Sequence, residues 1–241
     1  MTVARATDEG RRQRRGLGLI GGMSWRSTAL YHERLNRAAE RTFGPHGTIV
    51  GQIDSLDYAE LLSLASRGDM AAIEARLVDA ARRLRRVGCE VIALTAVTAH
   101  HWHGAVAAAV DVPVPHVLSA VAERLQAGGL VEVGVLGTAL TCGSLAIRSR
   151  IEDGRRLLFP DDGAQGRVDD LIQRILTVQG ADDAGRDTLA EVALTLQDRG
   201  ARAIVLACTE LPLLLPVSTI ALPVVDAVAL HIDDIFDHIC E

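Results

Sequence analysis

The stretch IVLACTELPLL, Ile204 to Leu214, sets one cysteine between an apolar run and a Thr-Glu pair. A free cysteine at the end of a buried strand is most often an inert core thiol. It can also be an acid–base group, because the N–H groups of a following helical turn lower a thiol pKa and favour the thiolate. Thr209 and Glu210 follow Cys208 directly. Glu210 fits a first-turn helix residue held by the dipole, and equally a group that orients the thiol or a substrate amine. The tract HHWH at 100–103 resembles a metal-binding run, with His100 and His103 spaced to share a helix face. No acidic ligands cluster near it, so no metal is expected. The other cysteines, Cys89, Cys142 and Cys240, are scattered without CxxC spacing. Neither a disulfide framework nor a zinc site is indicated, and reduced thiols in a cytoplasmic setting are the expectation. Cys142 follows Thr141 and reads as structural. The chain holds no lysine at all. Schiff-base chemistry through a lysine and a P-loop lysine are therefore excluded.

These residues sit at the ends of predicted strands. Leu17 to Ile20 reads as a short buried strand followed by a Gly-Gly turn, and SWRSTALYHERLNRAAERTF then runs with helical spacing, with Ser24 or Ser27 as cap. Residues 47–55 read as a second strand, 69–88 as an amphipathic helix ended by Gly88, and 90–97 as a third strand. VPVPHV at 112–117 reads as a short strand near a sheet edge, because it carries two prolines. Strands alternating with helices predict an α/β fold with parallel sheets.

The order of elements then repeats. LGLIGGMS at 17–24 resembles VGVLGTALT at 133–141, GCEVIALTAVT at 88–98 resembles GARAIVLACTE at 200–210, and VPVPHV resembles LPVVDAV at 222–228. The halves predict two pseudo-symmetric lobes, with the site in the cleft outside the carboxyl ends of the strands. The division expected is a disordered basic leader over 1–16, a first lobe of 17–117 plus 222–241, and a second lobe of 118–221. Aligning Gly88 with Gly200 sets Ala96 opposite Cys208 and Thr98 opposite Glu210. Aligning the proline-bearing strands sets His116 opposite Asp226. The position facing the thiol is then an alanine, with no acid–base group.

Bulk properties narrow the partners. The 241 residues are 49% hydrophobic and 23% charged, enough for a proper core. Net charge is −6, which points away from nucleic acid and from anionic membrane surfaces. RRQRRG at 11–16 is the one basic cluster and reads as a solvated leader. No run approaches the roughly 18 apolar residues of a membrane span.

IGGMSWRST, GVLGT, IVLACTELPLLLP and PVVDAVALH together resemble the cofactor-independent aspartate/glutamate racemase superfamily, closest to its aspartate-racemase branch. The likeness runs over nearly the whole chain from about residue 16. It implies no cofactor, a small-molecule carboxylate substrate, a homodimer, and a C-terminal segment that crosses back to finish the first lobe. In that family a cysteine from each lobe flanks the substrate α-carbon, one removing a proton and the other delivering one. The resemblance makes Cys208 the second-lobe thiol and assigns Thr209 to the substrate carboxylate. Ser24, Thr98, Thr138 and Thr141 become substrate contacts, with Glu210 beside them. Arg167, in GAQGRVDDLI, falls where the family often carries a cation for a substrate carboxylate; a plain surface arginine is the rival reading. His231 matches a family histidine near the cleft. The first-lobe motif, however, reads AVTAH. Ala96 replaces the cysteine, Val97 replaces an asparagine, and only Thr98 and His100 remain.

Three functions follow. One is racemisation or epimerisation at the α-carbon of an aspartate- or glutamate-like carboxylate, with Thr95, His100 or His231 helping the lone thiol. Aliphatic hydroxyls are poor acids near neutral pH, so such a reaction would be slow. Another is a one-cysteine decarboxylase, isomerase or cyclase, where Cys208 acts once as a proton donor and Ala96 and Val97 line an apolar pocket. The resembled superfamily includes arylmalonate decarboxylation by a single second-lobe cysteine opposite a small residue. The third is an inactive homologue that binds a small carboxylate.

Overall fold

The computed structural model describes residues 14–176, 182–214 and 220–241. Two parallel sheets carry the fold, as expected. The first holds β1 (Leu17–Gly21), β2 (Gly51–Ser55) and β3 (Val91–Leu94) in the order β2-β1-β3. The second holds β4 (Glu132–Gly137), β5 (Arg156–Leu158), β6 (Ala203–Ala207) and β7 (Val224–Asp226) in the order β5-β4-β6-β7. β1, β3, β4 and β6 are apolar and buried almost throughout, as strands covered on both faces must be.

Helices follow the strands. α1 (Trp25–Phe43) buries Thr28, Tyr31, Leu35 and Ala39, and α3 (Met70–Arg86) buries Ile73, Leu77, Ala80 and Leu84. This three-and-four spacing gives each helix one apolar stripe. α2 (Tyr58–Ser66), α4 (His103–Ala108) and α5 (Ser119–Ala127) complete the first half. α6 (Ala139–Gly143), α7 (Leu145–Glu152), α8 (Asp162–Arg174) and α9 (Asp183–Asp198) belong to the second, and α10 (Ala227–Cys240) ends the chain. Asp57, Asp69, Asp161, Asp182 and Asp226 cap α2, α3, α8, α9 and α10 by accepting from first-turn N–H groups. α1 is different. Ser24 occupies its cap position at φ 118° and makes no side-chain cap bond.

The internal repeat holds at the level of single hydrogen bonds. Leu17 pairs with Val91 in the first sheet as Val133 pairs with Ala203 in the second. Ile92 N–H donates to the Pro113 carbonyl at 3.0 Å, and Ile204 N–H to the Pro223 carbonyl at 2.9 Å. His116 Nδ1 accepts from the N–H of Leu118, two residues on, and Asp226 accepts from Val228 in the same way. The repeat is imperfect in one respect. Residues 112–117 were expected as a strand but form no strand ladder beyond the Pro113 contact, since two prolines remove two donors.

Two boundaries differ from expectation. β7, within 222–241, pairs with β6 and so belongs to the second sheet, while α10 packs on α1 and α5. The segment therefore serves both lobes. Of the basic leader expected over 1–16, residues 1–13 lie outside the described residues. Arg14 stacks on Phe43, and Arg15 N–H bonds to the Ile239 carbonyl at 3.0 Å. A central apolar layer joins Leu19 and Tyr31 of the first half, Val133 and Val205 of the second, and Ile232 and Ile235 of α10. No helix among the described residues is long and apolar enough to cross a membrane.

Four imidazoles pack together in the interior. His100 lies edge-on to His116 and His231, with ring centroids 4.8 and 5.1 Å away, and stacks on His103. His231 bonds to the Tyr31 hydroxyl and the Pro115 carbonyl, while Nε2 of His100 and of His116 has no hydrogen-bond partner among the described residues. Burial, then mutual repulsion, holds His100 neutral, and burial lowers His116 and His231 to about 3. A folded pKa below the unfolded value near 6.5 means that stability is complete above pH 6.5 and falls as the pH drops toward 3. His116→Asn keeps a cap acceptor and removes one titrating group. Its thermal stability, measured across pH 3–7, should decline less steeply than that of the parent, by about 1.4 kcal/mol per pH unit.

Candidate active site

Strand ends and the turns after them build one cavity of about 240 Å³ between the two sheets. From the first half, β3 runs into Thr95 and Ala96 and then a 3-10 turn over Val97–Trp102. Ala96, Val97, Thr98 and Trp102 line the cavity. From the second half, β6 ends at Ala207 and delivers Cys208, Thr209 and Glu210 to the same space. α1 adds Ser27, α2 adds Tyr58, and Thr138 enters from the end of β4. The positions paired by the repeat, Ala96 and Cys208, thus line the same cavity.

Cys208 is 6% exposed. Its Sγ–H donates to Glu210 Oε2 at 3.0 Å. Burial, then the charge of Glu210 and this hydrogen bond, push the thiol well above its ordinary pKa. The N–H groups of Glu210 and Leu211 act in the opposite sense, as a strand-to-helix turn should, but do not outweigh them. The lowering expected from the turn is present, but burial and Glu210 together favour the thiol form. Glu210 is fixed from both sides. Its Oε2 also accepts from the Thr209 hydroxyl at 2.5 Å, and its Oε1 from Ser27 Oγ at 3.2 Å. Ser27 and Thr209 hydroxyls lie 2.8 Å apart. Orphaned carboxylates are costly in low dielectric, and these donors offset that cost.

The second polar corner is made of hydroxyls. Thr98, Thr138 and Thr141 form a triangle with Oγ1 separations of 3.2, 3.3 and 3.0 Å. Thr138 also caps α6 through the Thr141 N–H. Thr98 and Thr138 line the cavity, while Thr141 is buried behind them.

Several expected contacts lie elsewhere. Ser24 is turned away by its backbone and lines a neighbouring depression with Arg26 and Tyr58; its carbonyl accepts from Thr28. The glycine before it in that turn, Gly22 at φ 88°, is required because a Cβ there would meet the Leu56 carbonyl at 2.0 Å. Arg167 stands on the exposed face of α8 and pairs with Glu191 at 3.7 Å, outside the cavity. Thr95 bonds to Thr28 and the Ile20 carbonyl on the far side of its strand. His100 and His231 are fully buried in the imidazole cluster and do not line the cavity. Cys142 is buried, with its thiol pushed up to about 12 by burial and Asp169. Sequence reasoning missed Ser27 as a site residue, although its spacing of three from Ser24 puts it on the inner helix face. It also missed Tyr58 and Trp102, which no local motif marks.

A paired α/β frame whose two strand ends meet at a buried thiol defines a class, and the chain belongs to it: residues 20–235 match the Asp/Glu/hydantoin racemase family. Its structure is similar to that of an Asp/Glu racemase candidate from Yersinia pestis, at 29% identity and TM-score 0.86, covering 94% of this chain and all of that one. An aspartate racemase homologue from Pyrococcus horikoshii OT3 is 24% identical, with TM-score 0.80, over 94% of this chain and 100% of its own. Glutamate racemase from Francisella tularensis shares the fold at 16% identity and TM-score 0.64, over 93% of this chain and 81% of its own.

Glu210→Gln removes the charge that holds the proton on Cys208. Burial stays, but the thiol pKa should fall and the thiolate fraction at neutral pH should rise. Alkylation rate against pH, with a Glu210→Gln, Cys208→Ser chain as the blank for other thiols, reads this directly.

Proposed function

We propose that the protein is a cofactor-independent enzyme of the racemase family that moves one proton at the α-carbon of a small carboxylate, with Cys208 as its single acid–base thiol. One observation carries this reading: the cavity wall that answers Cys208 in the repeat is Ala96, which can neither give nor take a proton. The protonated state of Cys208 supports donation over abstraction. A reaction that makes its carbanion within the substrate suits such a group best, and loss of CO₂ from a 2-substituted malonate is the simplest example. The C–C bonding pair then stays on the α-carbon, the S–H bond breaks, and the proton passes to that carbon. The thiolate left behind keeps the N–H groups of Glu210 and Leu211 until it recovers a proton from solvent. The Thr98 hydroxyl, which is not committed to Glu210, is a donor for the carboxylate that remains. An arylmalonate decarboxylase shares the fold at 15% identity and TM-score 0.51, a likeness of architecture alone.

Racemisation of an acidic amino acid is the second reading. The 29% identity to the Yersinia pestis protein favours it. It requires water to serve the face where Ala96 stands.

Deuterium labelling separates the two. With 2-substituted malonates in D₂O, one deuterium should enter the product α-carbon on one face only. Cys208→Ala should lower the rate by roughly 10²–10⁴-fold; unchanged turnover in that variant would remove Cys208 from the mechanism. With L- or D-aspartate or glutamate, α-proton exchange with loss of optical purity would select racemisation instead. Ala96→Cys places a second thiol in the cavity, and the product should then lose optical purity.

A further inference from the structure

β2 is an open edge. Among the described residues the other sheet edges are covered or short. Pro113 meets β3 through the Ile92 N–H, and β5 and β7 have three residues each. β2 has five residues at the edge of its sheet, and all but Asp54 are exposed. Its pairing with β1 decides which backbone groups are spare. Leu17 N–H donates to the Val50 carbonyl at 2.8 Å, and Leu56 N–H to the Gly21 carbonyl at 3.0 Å. In a parallel ladder this register turns the N–H and C=O groups of Gly51, Ile53 and Ser55 outward. Those groups have no hydrogen-bond partner among the described residues. Exposed edges are usually blunted by charged side chains, proline or a bulge. Residues 48–56 hold no proline, and their only charge, Asp54, is paired with Arg83 of α3 at 2.7 Å. Apolar side chains stand there instead. Val50 is 60% and Ile53 46% exposed, and a notch of about 60 Å³ opens over β2 beside His32, Ile49 and Ile53.

We propose that this edge is the docking surface for a second copy of the chain, joined antiparallel through β2 about a two-fold axis at Ile53. That register sets Ile53 beside the partner's Ile53 and Gly51 beside the partner's Ser55. The outward groups of each such pair exchange two backbone bonds. On the α3 face Gln52 stands opposite the partner's Asp54, so an amide donates to a carboxylate on each side of the axis. Val50 falls opposite the partner's Leu56, apolar on apolar. Neighbouring two-folds fit worse. A centre at Asp54 would face two carboxylates, and a centre at Gln52 would set Val50 against a carboxylate. A strand that complements itself in one register suits an isologous contact better than a foreign strand. The product is one continuous sheet, with β3, β1 and β2 from each copy.

Sedimentation velocity of the full chain at micromolar concentration should show a dimer. Gln52 is exposed and outside the Cys208 cavity, so its variants probe the seam alone. Gln52→Glu sets like charges together twice per dimer and should raise the dimer Kd roughly tenfold, with the loss reduced by salt. Gln52→Lys should not raise it. Ile53→Lys should give a monomer with unchanged far-UV circular dichroism; if that variant does not fold, the opposed Gln52 pair decides. A monomeric parent, assembly beyond the dimer, a dimer that Ile53→Lys leaves intact, or equal weakening by both Gln52 variants would each overturn the proposal. A monomer that dimerises only after residues 1–13 are deleted would also overturn it, and would assign the edge to the leader.

Discussion

The central apolar layer is the constraint on which the site depends. Both sheets turn a face toward it, and α10 closes it by packing Ile232 and Ile235 among residues of each half. Because that layer is common to both halves, the carboxyl ends of β3 and β6 are held at one cavity. An interface of separate domains is smaller, wetter and free to move. Here the two halves are lobes of one body. The His231–Tyr31 and His231–Pro115 bonds tie α10 to the first half, while β7, one residue earlier, is paired in the second. A single chain segment thus registers one lobe on the other.

Within that frame, electrostatics decides what the thiol can do. A strand-to-helix turn is the usual place to make a thiolate, and two N–H groups here point that way. Burial of the sulfur, and then the negative charge of Glu210 beside it, reverse the outcome. The burial of Glu210 is sustained by Ser27 and Thr209, so the proton on Cys208 is maintained by residues from α1 as well as from the β6 turn. The cavity therefore sets a buried thiol beside a largely apolar wall.

Much of the frame could be read from the residues. Glycines at 88 and 200, the apolar runs before Ala96 and Cys208, and the two proline-bearing segments are local features with local causes, and they recur at nearly constant spacing. Cys208, Thr209, Glu210, Thr98 and Thr138 meet at one cavity for that reason. The failures came from geometry that no local pattern encodes. Arg167 has the right charge but lies on the outer face of its helix. Ser24 has the right hydroxyl, but its backbone conformation directs it out of the cavity and leaves Ser27 facing in. His100 and His231 sit beside functional-looking motifs yet pack with His103 and His116. The protonation of Cys208 depends on burial, which emerges only when both halves close around it.

The duplicated hydrogen bonds at Pro113 and Pro223, and the matching caps at His116 and Asp226, show how little the backbone depends on what each strand end carries. The first half keeps the same turn, register and closure with Ala96 where the second has Cys208. One half of the molecule is in that sense a Cys-to-Ala variant of the other, already folded. The first half shows that a turn of this kind closes without a thiol at its strand end.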